Sequence, residues 1–193
     1  MSITRCPWPS DDPLMIEYHD TEWGMPLHDD KMIFEFLILE GMQAGLSWST
    51  ILHKRENFRK AFAGFDVEKV ARFDGRKVRS LLNDAGIIRN QLKILAAITN
   101  AREFLKVREE FGTFDNYIWR FVDGKPKINH FRLLKDVRAT SEESDAMSKD
   151  LKGRGFKFVG STICYAHMQA TGMVNDHLMA CFRYKELKRD TGK

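Results

Sequence analysis

Leu39-Glu40-Gly41-Met42-Gln43-Ala44-Gly45-Leu46-Ser47-Trp48 sets an acid at the end of one helical pattern and a large ring at the start of the next. The preceding segment, Met32-Ile33-Phe34-Glu35-Phe36-Leu37-Ile38, is apolar on nearly every face, which predicts a helix buried all round. Glu40 follows Phe36 and Leu37 by one turn and shares their core-facing stripe, where a free carboxylate is costly. The glycines between Glu40 and Trp48 permit a bend or a close backbone approach. Two readings compete here. Either Glu40 is a buried acid neutralised by an Arg or by backbone donors, with Trp48 as ordinary core, or the carboxylate and the ring are presented together to a ligand.

On the N-terminal side, Asp29 or Asp30 can cap this helix. Pro7-Trp8-Pro9-Ser10-Asp11-Asp12-Pro13 is turn-rich, and Asp12 with Pro13 suits the start of a short helix from Leu14 to His19. Trp8, Tyr18 and Trp23 then form an aromatic cluster, which composition alone reads as a satellite core under a loop. On the C-terminal side, Trp48 to Phe62 is amphipathic. Ile51, Leu52, Phe58 and Phe62 point inward, and His53-Lys54-Arg55-Glu56 and Arg59-Lys60 face water.

Asp66 and Asp74 cap two short helices. In Asn83-Asp84-Ala85-Gly86-Ile87-Ile88-Arg89-Asn90, Gly86 is placed to end one helix in the left-handed conformation, before a long helix from about Asn90 to Phe111. That is the layout of a helix-hairpin-helix element, whose backbone N–H groups can hold a DNA phosphate, with charge added by Arg89 and Lys93. Any tight helix pair with one glycine shares the pattern. Phe114 to Val122 reads as a short aromatic helix, residues 129–140 as an irregular connection, and Ser141 as the start of a helix reaching Lys152. Arg154 and Lys157, with Lys149 and Lys152 and the glycines at 153 and 155, suit phosphate contact or form a solvated loop. Thr162 to Gly172 is helical and mostly apolar, which makes Cys164 and His167 core residues.

The chain has 193 residues, 43% of them hydrophobic, enough for one sizeable core, as a single domain or as two lobes, a central one over about 66–120 and a second from the terminal segments. Lys+Arg 31 against Asp+Glu 27 gives a net +4, which permits a nucleic-acid partner without demanding one. No apolar run approaches membrane-spanning length and no signal-peptide pattern opens the chain, so a soluble cytoplasmic protein with no membrane partner is expected. Three cysteines in a reducing compartment are thiols or metal ligands rather than a disulfide framework. His177 and Cys181 stand four apart, which puts them on the same side of a helix turn, and Cys6 with His19 completes a Cys2His2 set of the types and number a structural zinc takes. Only the H-x3-C half has informative spacing, and thiols without metal are the alternative. With metal, the site would clip the termini together and hold Tyr18 beside His19.

Arg5-Cys6-x-Trp8, Tyr18-His19-Asp20-x-Glu22-Trp23-Gly24, the block from Leu39 to Trp48, Lys54-Arg55-Glu56-Asn57, Asp84-Ala85-Gly86-Ile87-Ile88-Arg89, Arg154-Gly155-Phe156-Lys157-Phe158-Val159-Gly160 and Val174-Asn175-Asp176-His177 together resemble the DNA-3-methyladenine glycosylase I family of bacterial base-excision repair. The resemblance covers nearly the whole chain. It departs at Arg89-Asn90-Gln91 and in the tail from Phe182 to Lys193. It implies an all-α fold of the helix-hairpin-helix glycosylase superfamily, with zinc held by Cys6, His19, His177 and Cys181. It further implies a base pocket in which Tyr18, Glu40 and Trp48 take the damaged base, with Trp8 and Trp23 as wall. The partner implied is double-stranded DNA containing alkylated purines, with a monomer as the expected state.

The chemistry of such a reaction fits these residue types. A glycosylase takes the nucleotide out of the stack, and a ring, a phenol and a carboxylate can hold a purine. 3-Methyladenine bound to deoxyribose is cationic and leaves neutral, so an anionic Glu40 can select it without acting as a strong acid or base. The helix after the hairpin carries no aspartate, which agrees with a monofunctional enzyme and a labile substrate. Two rivals predict otherwise: a DNA-binding module would release no base, and a cysteine hydrolase using Cys164 would be sensitive to thiol alkylation.

Overall fold

The computed structural model describes residues 3–190. Its framework is ten α-helices: α1 Pro13–Thr21, α2 Asp30–Gln43, α3 Trp48–Ala61, α4 Val67–Ala71, α5 Gly75–Asn83, α6 Gln91–Phe111, α7 Phe114–Trp119, α8 Glu142–Gly153, α9 Ser161–Ala170 and α10 Phe182–Asp190. Side-chain caps set most of the starts. Asp12 accepts from the N–H groups of Leu14 and Met15, Asp29 from Met32, Ser47 from Thr50, Asp66 from Lys69, Asp74 from Lys77 and Asn90 from Lys93. A helical protein is what the periodicity predicts, with one addition. Lys127–Ile128 (β1) pairs in parallel with Val174–Asn175 (β2), a two-rung ladder too short for alternation to reveal.

α2 runs through the centre. Every residue from Ile33 to Met42 is buried, as the unbroken apolar run requires, and the helix packs against α3, α6, α7 and α9. Phe34, Phe58, Phe65, Phe104, Phe114 and Phe156 fill the main core. Tyr18, Phe36 and Leu52 anchor a second cluster, to which Trp8, Trp23 and Trp48 are packed, and Cys6, Leu178, Cys181 and Tyr184 make a third. The terminal segments are therefore held beside α2 by the aromatic residues and by the cysteine–histidine group. At Gly172, a Cβ would lie 2.3–2.4 Å from the backbone of Met25 and Pro26, so the turn after α1 lies directly on the end of α9.

The structure corrects three sequence expectations. Arg55 does not face water: it is 5% exposed and its guanidinium lies under α2. Gly86 is not left-handed; its backbone comes so close to Asn57 and Asp84 that a Cβ would meet them at 3.0–3.2 Å, so close approach is what calls for glycine. His177 and Cys181 are not on a helix but in the turn between β2 and α10. Their neighbourhood comes from that turn and not from helical spacing.

Candidate active site and metal centre

The C-terminal turn of α2, the N-terminus of α3, the end of α1 and the segment after β2 surround a cavity of about 240 Å³. Tyr18, Glu40 and Trp48 line it together with Trp8 and Trp23, so all five pocket residues expected from the sequence meet there. The rings interlock. Trp8 and Trp23 are 5.0 Å apart edge to face, Tyr18 and Trp48 are 5.3 Å apart, and Trp48 stacks at 6.4 Å on Phe36. Ser47 fixes the start of α3 by accepting from the Thr50 N–H, and this sets Trp48 at the helix's first position.

Glu40 is 3% exposed and makes no ion pair with any of the described residues. Burial alone pushes its carboxyl up to about 8. Burial thus favours its neutral form while the cavity holds no cation. The Tyr18 phenol is pushed well above its ordinary value by burial and then by Glu40, and it stays protonated. The indole N–H groups of Trp8 and Trp48 are buried without a protein acceptor. A cation placed beside Glu40 would draw off its proton and convert a desolvated acid into a paired carboxylate.

Sequence reasoning missed several lining residues. Gln43 follows Glu40 by one turn, which helical spacing could have revealed. Gln169 comes from α9, and Leu134 and Val137 come from the irregular connection, where no period marks them. Asp176 lies within the Val174-Asn175-Asp176-His177 block, which carried a signal but no role. Leu46, on the turn between Gln43 and Trp48, is a large apolar side chain 42% exposed.

Cys6, His19, His177 and Cys181 are all buried, and their ligand atoms lie within 4.8 Å of one another. Cys181 Sγ is 3.5 Å from His19 Nε2 and 3.6 Å from His177 Nδ1, and Cys6 Sγ is 3.7 Å from His177 Nδ1. A tetrahedral ion with sulfur at about 2.3 Å and nitrogen at about 2.0 Å has S···N edges of about 3.5 Å, so the donor set fits one. Each imidazole is oriented through its other nitrogen. His19 Nδ1–H donates to Asp20, itself paired with Arg5, and His177 Nε2–H donates to the Trp23 carbonyl at 2.9 Å. The Leu178 N–H donates to Cys6 Sγ, as toward a thiolate. The neighbouring pair Tyr18 and His19 thus serves two centres, the phenol facing the cavity and the imidazole facing the sulfurs.

The DNA-contact candidates separate into two groups. Gly86 and Arg89 lie in the turn between α5 and α6, which α3 braces: Lys54 Nζ donates to the Ala85 and Gly86 carbonyls and Asn57 to Gly86. Arg89 and Lys157 are exposed. Lys93 is different, for it is 8% exposed and its ammonium donates to the Met42 and Ala44 carbonyls at 2.7 Å, closing the C-terminus of α2. It is not available to a phosphate. Arg154 pairs with Glu110 and Asp150 and lies over Phe111 and Tyr117. Cys164 donates to the Val159 carbonyl and burial pushes its thiol up to about 12, which leaves no nucleophile for a hydrolase.

The cavity thus sets one buried acid among aromatic rings on a helical scaffold, beside a turn between α5 and α6 that α3 braces. The methyladenine glycosylase family matches residues 8–184, and the chain belongs to it. It is 51% identical over 182 residues to DNA-3-methyladenine glycosylase 1 of Escherichia coli, covering 94% of this chain and 97% of that one. It is 44% identical over 178 residues to DNA-3-methyladenine glycosylase of Haemophilus influenzae, covering 92% and 96%. Among solved structures, 3-methyladenine DNA glycosylase I from Staphylococcus aureus, described for its recognition of 3-methyladenine, superposes with a TM-score of 0.90 at 35% identity, covering 94% of this chain and 97% of that one.

Proposed function

We propose that this chain is a DNA repair glycosylase that hydrolyses the N-glycosidic bond of 3-methyladenine in alkylated DNA. The observation that carries it is Glu40, buried, unpaired and walled by Tyr18, Trp48, Trp8 and Trp23 in a chain of the methyladenine glycosylase family. The damaged nucleotide is turned out of the duplex and stacked among the rings. Glu40, ionised by the arriving cation, holds the base by charge and hydrogen bonding. Water adds at C1′ and gives up a proton to solvent, the bonding pair of C1′–N9 returns to the ring, and the base leaves neutral. No lysine lines the cavity, which supports a monofunctional reaction. The acting species is read as a monomer. Among the described residues no helix is long and apolar enough to cross a membrane, and three cysteines outside any disulfide suit the cytoplasm. Duplex DNA is read as held by the hairpin at Gly86 and Arg89 and by Lys157.

Cys6, His19, His177 and Cys181 are read as ligands of a structural zinc. Four protein ligands leave no open position, so its work is to hold the terminal segments against α1. Removal by a strong chelator is expected to lower the melting temperature by several degrees, with recovery on adding zinc. An unchanged melting curve after verified metal loss would contradict the clip.

The activity is tested by release of free methylated purine from alkylated DNA. Glu40→Gln and Trp48→Ala are each expected to lower the excision rate by at least about tenfold while remaining folded, since both act on the bound base. Near-parental rates in both would sink the pocket assignment.

A further inference from the structure

Gln169 on α9 and Asp176 after β2 line the same cavity as Glu40, from elements distant in sequence from α2. Asp176 is buried and accepts from three side chains. Tyr165 Oη and Gln169 Nε2 each donate to Oδ2 at 2.8 Å, and Asn129 Nδ2 donates to Oδ1 at 2.6 Å. A carboxylate held by three donors only accepts, so the Gln169 amide stands with its nitrogen toward Asp176. The carbonyl Oε1 is then the polar atom Gln169 has left for a ligand, and it has no protein partner. Gln43, the other amide lining the cavity, has no side-chain hydrogen bond and can turn either end toward a base.

In a 3-methyladenine nucleotide N3 carries the methyl group, N9 carries the sugar, and N1 and N7 are acceptors. Its only donors are the two N–H bonds of the exocyclic amine. Besides Asp176, which already accepts from three side chains, the cavity's acceptors of fixed identity include the ionised Glu40 and Gln169 Oε1. A guanine has a carbonyl oxygen at the same ring position, and against a carbonyl that cannot turn, two sets of lone pairs would meet. We propose that Gln169, locked by Asp176, is a specificity-determining residue that accepts from the exocyclic amine of 3-methyladenine and disfavours 3-methylguanine. The inference rests on the reading of this cavity as a methylpurine pocket. Gln169 is half-buried, so a general rule applies once the base covers Oε1: a site built to hydrogen-bond one group rejects the analogue lacking it, because the covered polar atom is left unmatched.

The test is equilibrium titration of free 3-methyladenine and free 3-methylguanine, followed by fluorescence of the cavity's three indoles. The proteins compared are the parental chain, Gln169→Met and Asp176→Asn. The parental chain is expected to prefer 3-methyladenine. Gln169→Met, which keeps length and loses the acceptor, is expected to weaken 3-methyladenine roughly tenfold with little effect on 3-methylguanine. Asp176→Asn frees the amide to turn and donate to the guanine oxygen, so it is expected to narrow the preference by a gain on 3-methylguanine, which damage to the fold would not produce. Equal losses on both bases in Gln169→Met, or no change in either variant, would overturn the assignment. A parental chain that binds neither base would instead overturn the cavity reading on which it rests.

Discussion

Glu35 and Glu40 are five residues apart on α2 and equally hidden, at 2% and 3% exposure, yet their surroundings are opposite. Glu35 accepts from Arg55 Nε at 2.5 Å and from Arg59 Nη2 at 2.8 Å, and Arg55 is held in turn by Glu22. Glu40 has no cation and is surrounded by rings. Burial is therefore no sign of function by itself. The acid whose charge is already matched belongs to the fold, joining α2 to α3 and seating Arg55 over Phe36 at 5.0 Å, behind Trp48. The acid with no charged partner among the described residues is the one the proposed function assigns to a cationic base.

The largest effect that could break this contrast is on stability. Glu35→Gln strips a buried Arg55 of its closest partner while the guanidinium stays in place, and is expected to cost about 3 kcal/mol in denaturant unfolding. Glu40→Gln leaves no orphan charge and is expected to cost nothing of that kind. If the two variants lost stability equally, the division between structural and ligand-facing acid would be wrong.

A second effect separates the two acids by pH. The Glu40 carboxyl stands at about 8 in the fold, against an ordinary value of 4.5. A group raised on folding contributes stability that is fully present below about pH 4.5 and is lost as pH rises through about 8. Each pH unit inside that window costs up to about 1.4 kcal/mol, so Glu40→Gln is expected to be more stable than the parental chain at pH 8.5, by roughly 2–4 kcal/mol, and equal to it near pH 4.5. Unfolding curves of both proteins across that range give the difference directly. Parallel curves would place a partner beside Glu40.

Legibility in the sequence followed the range of the physics involved. The helices, their aspartate caps, and the total burial of α2 are local in origin, and Asp12, Asp29, Asp66 and Asp74 cap where chain order puts them. The five pocket residues were legible through ordered blocks of sequence resembling the family. What stayed hidden were pairings across the fold. Arg55 sits among charged neighbours that do face water, and nothing in its own segment says that Glu35 will meet it. The bonds from Gln169 and Asn129 to Asp176 likewise join segments that share no period. The raised value of the Glu40 carboxyl was hidden for the same reason, since it depends on how completely other elements exclude water.

Lys93 provides the smallest effect and a third member of the comparison. Its ammonium, like the Glu35 carboxylate, is consumed inside the protein, here on the carbonyls of Met42 and Ala44 just beyond Glu40. Arg89, four residues earlier in the same hairpin region, is exposed. Lys93→Met is expected to lower stability by about 1–2 kcal/mol through two unmatched carbonyls, because the apolar stem is retained. It is expected to leave the salt dependence of DNA binding unchanged. Arg89→Met is expected to do the reverse, sparing stability and reducing the slope of log K against log salt by about one phosphate contact. Both slopes come from binding isotherms at several salt concentrations. A reduced slope in Lys93→Met would mean that its bonds to α2 give way when DNA binds, and the hairpin lysine would then belong with Glu40 among groups whose partner arrives from outside.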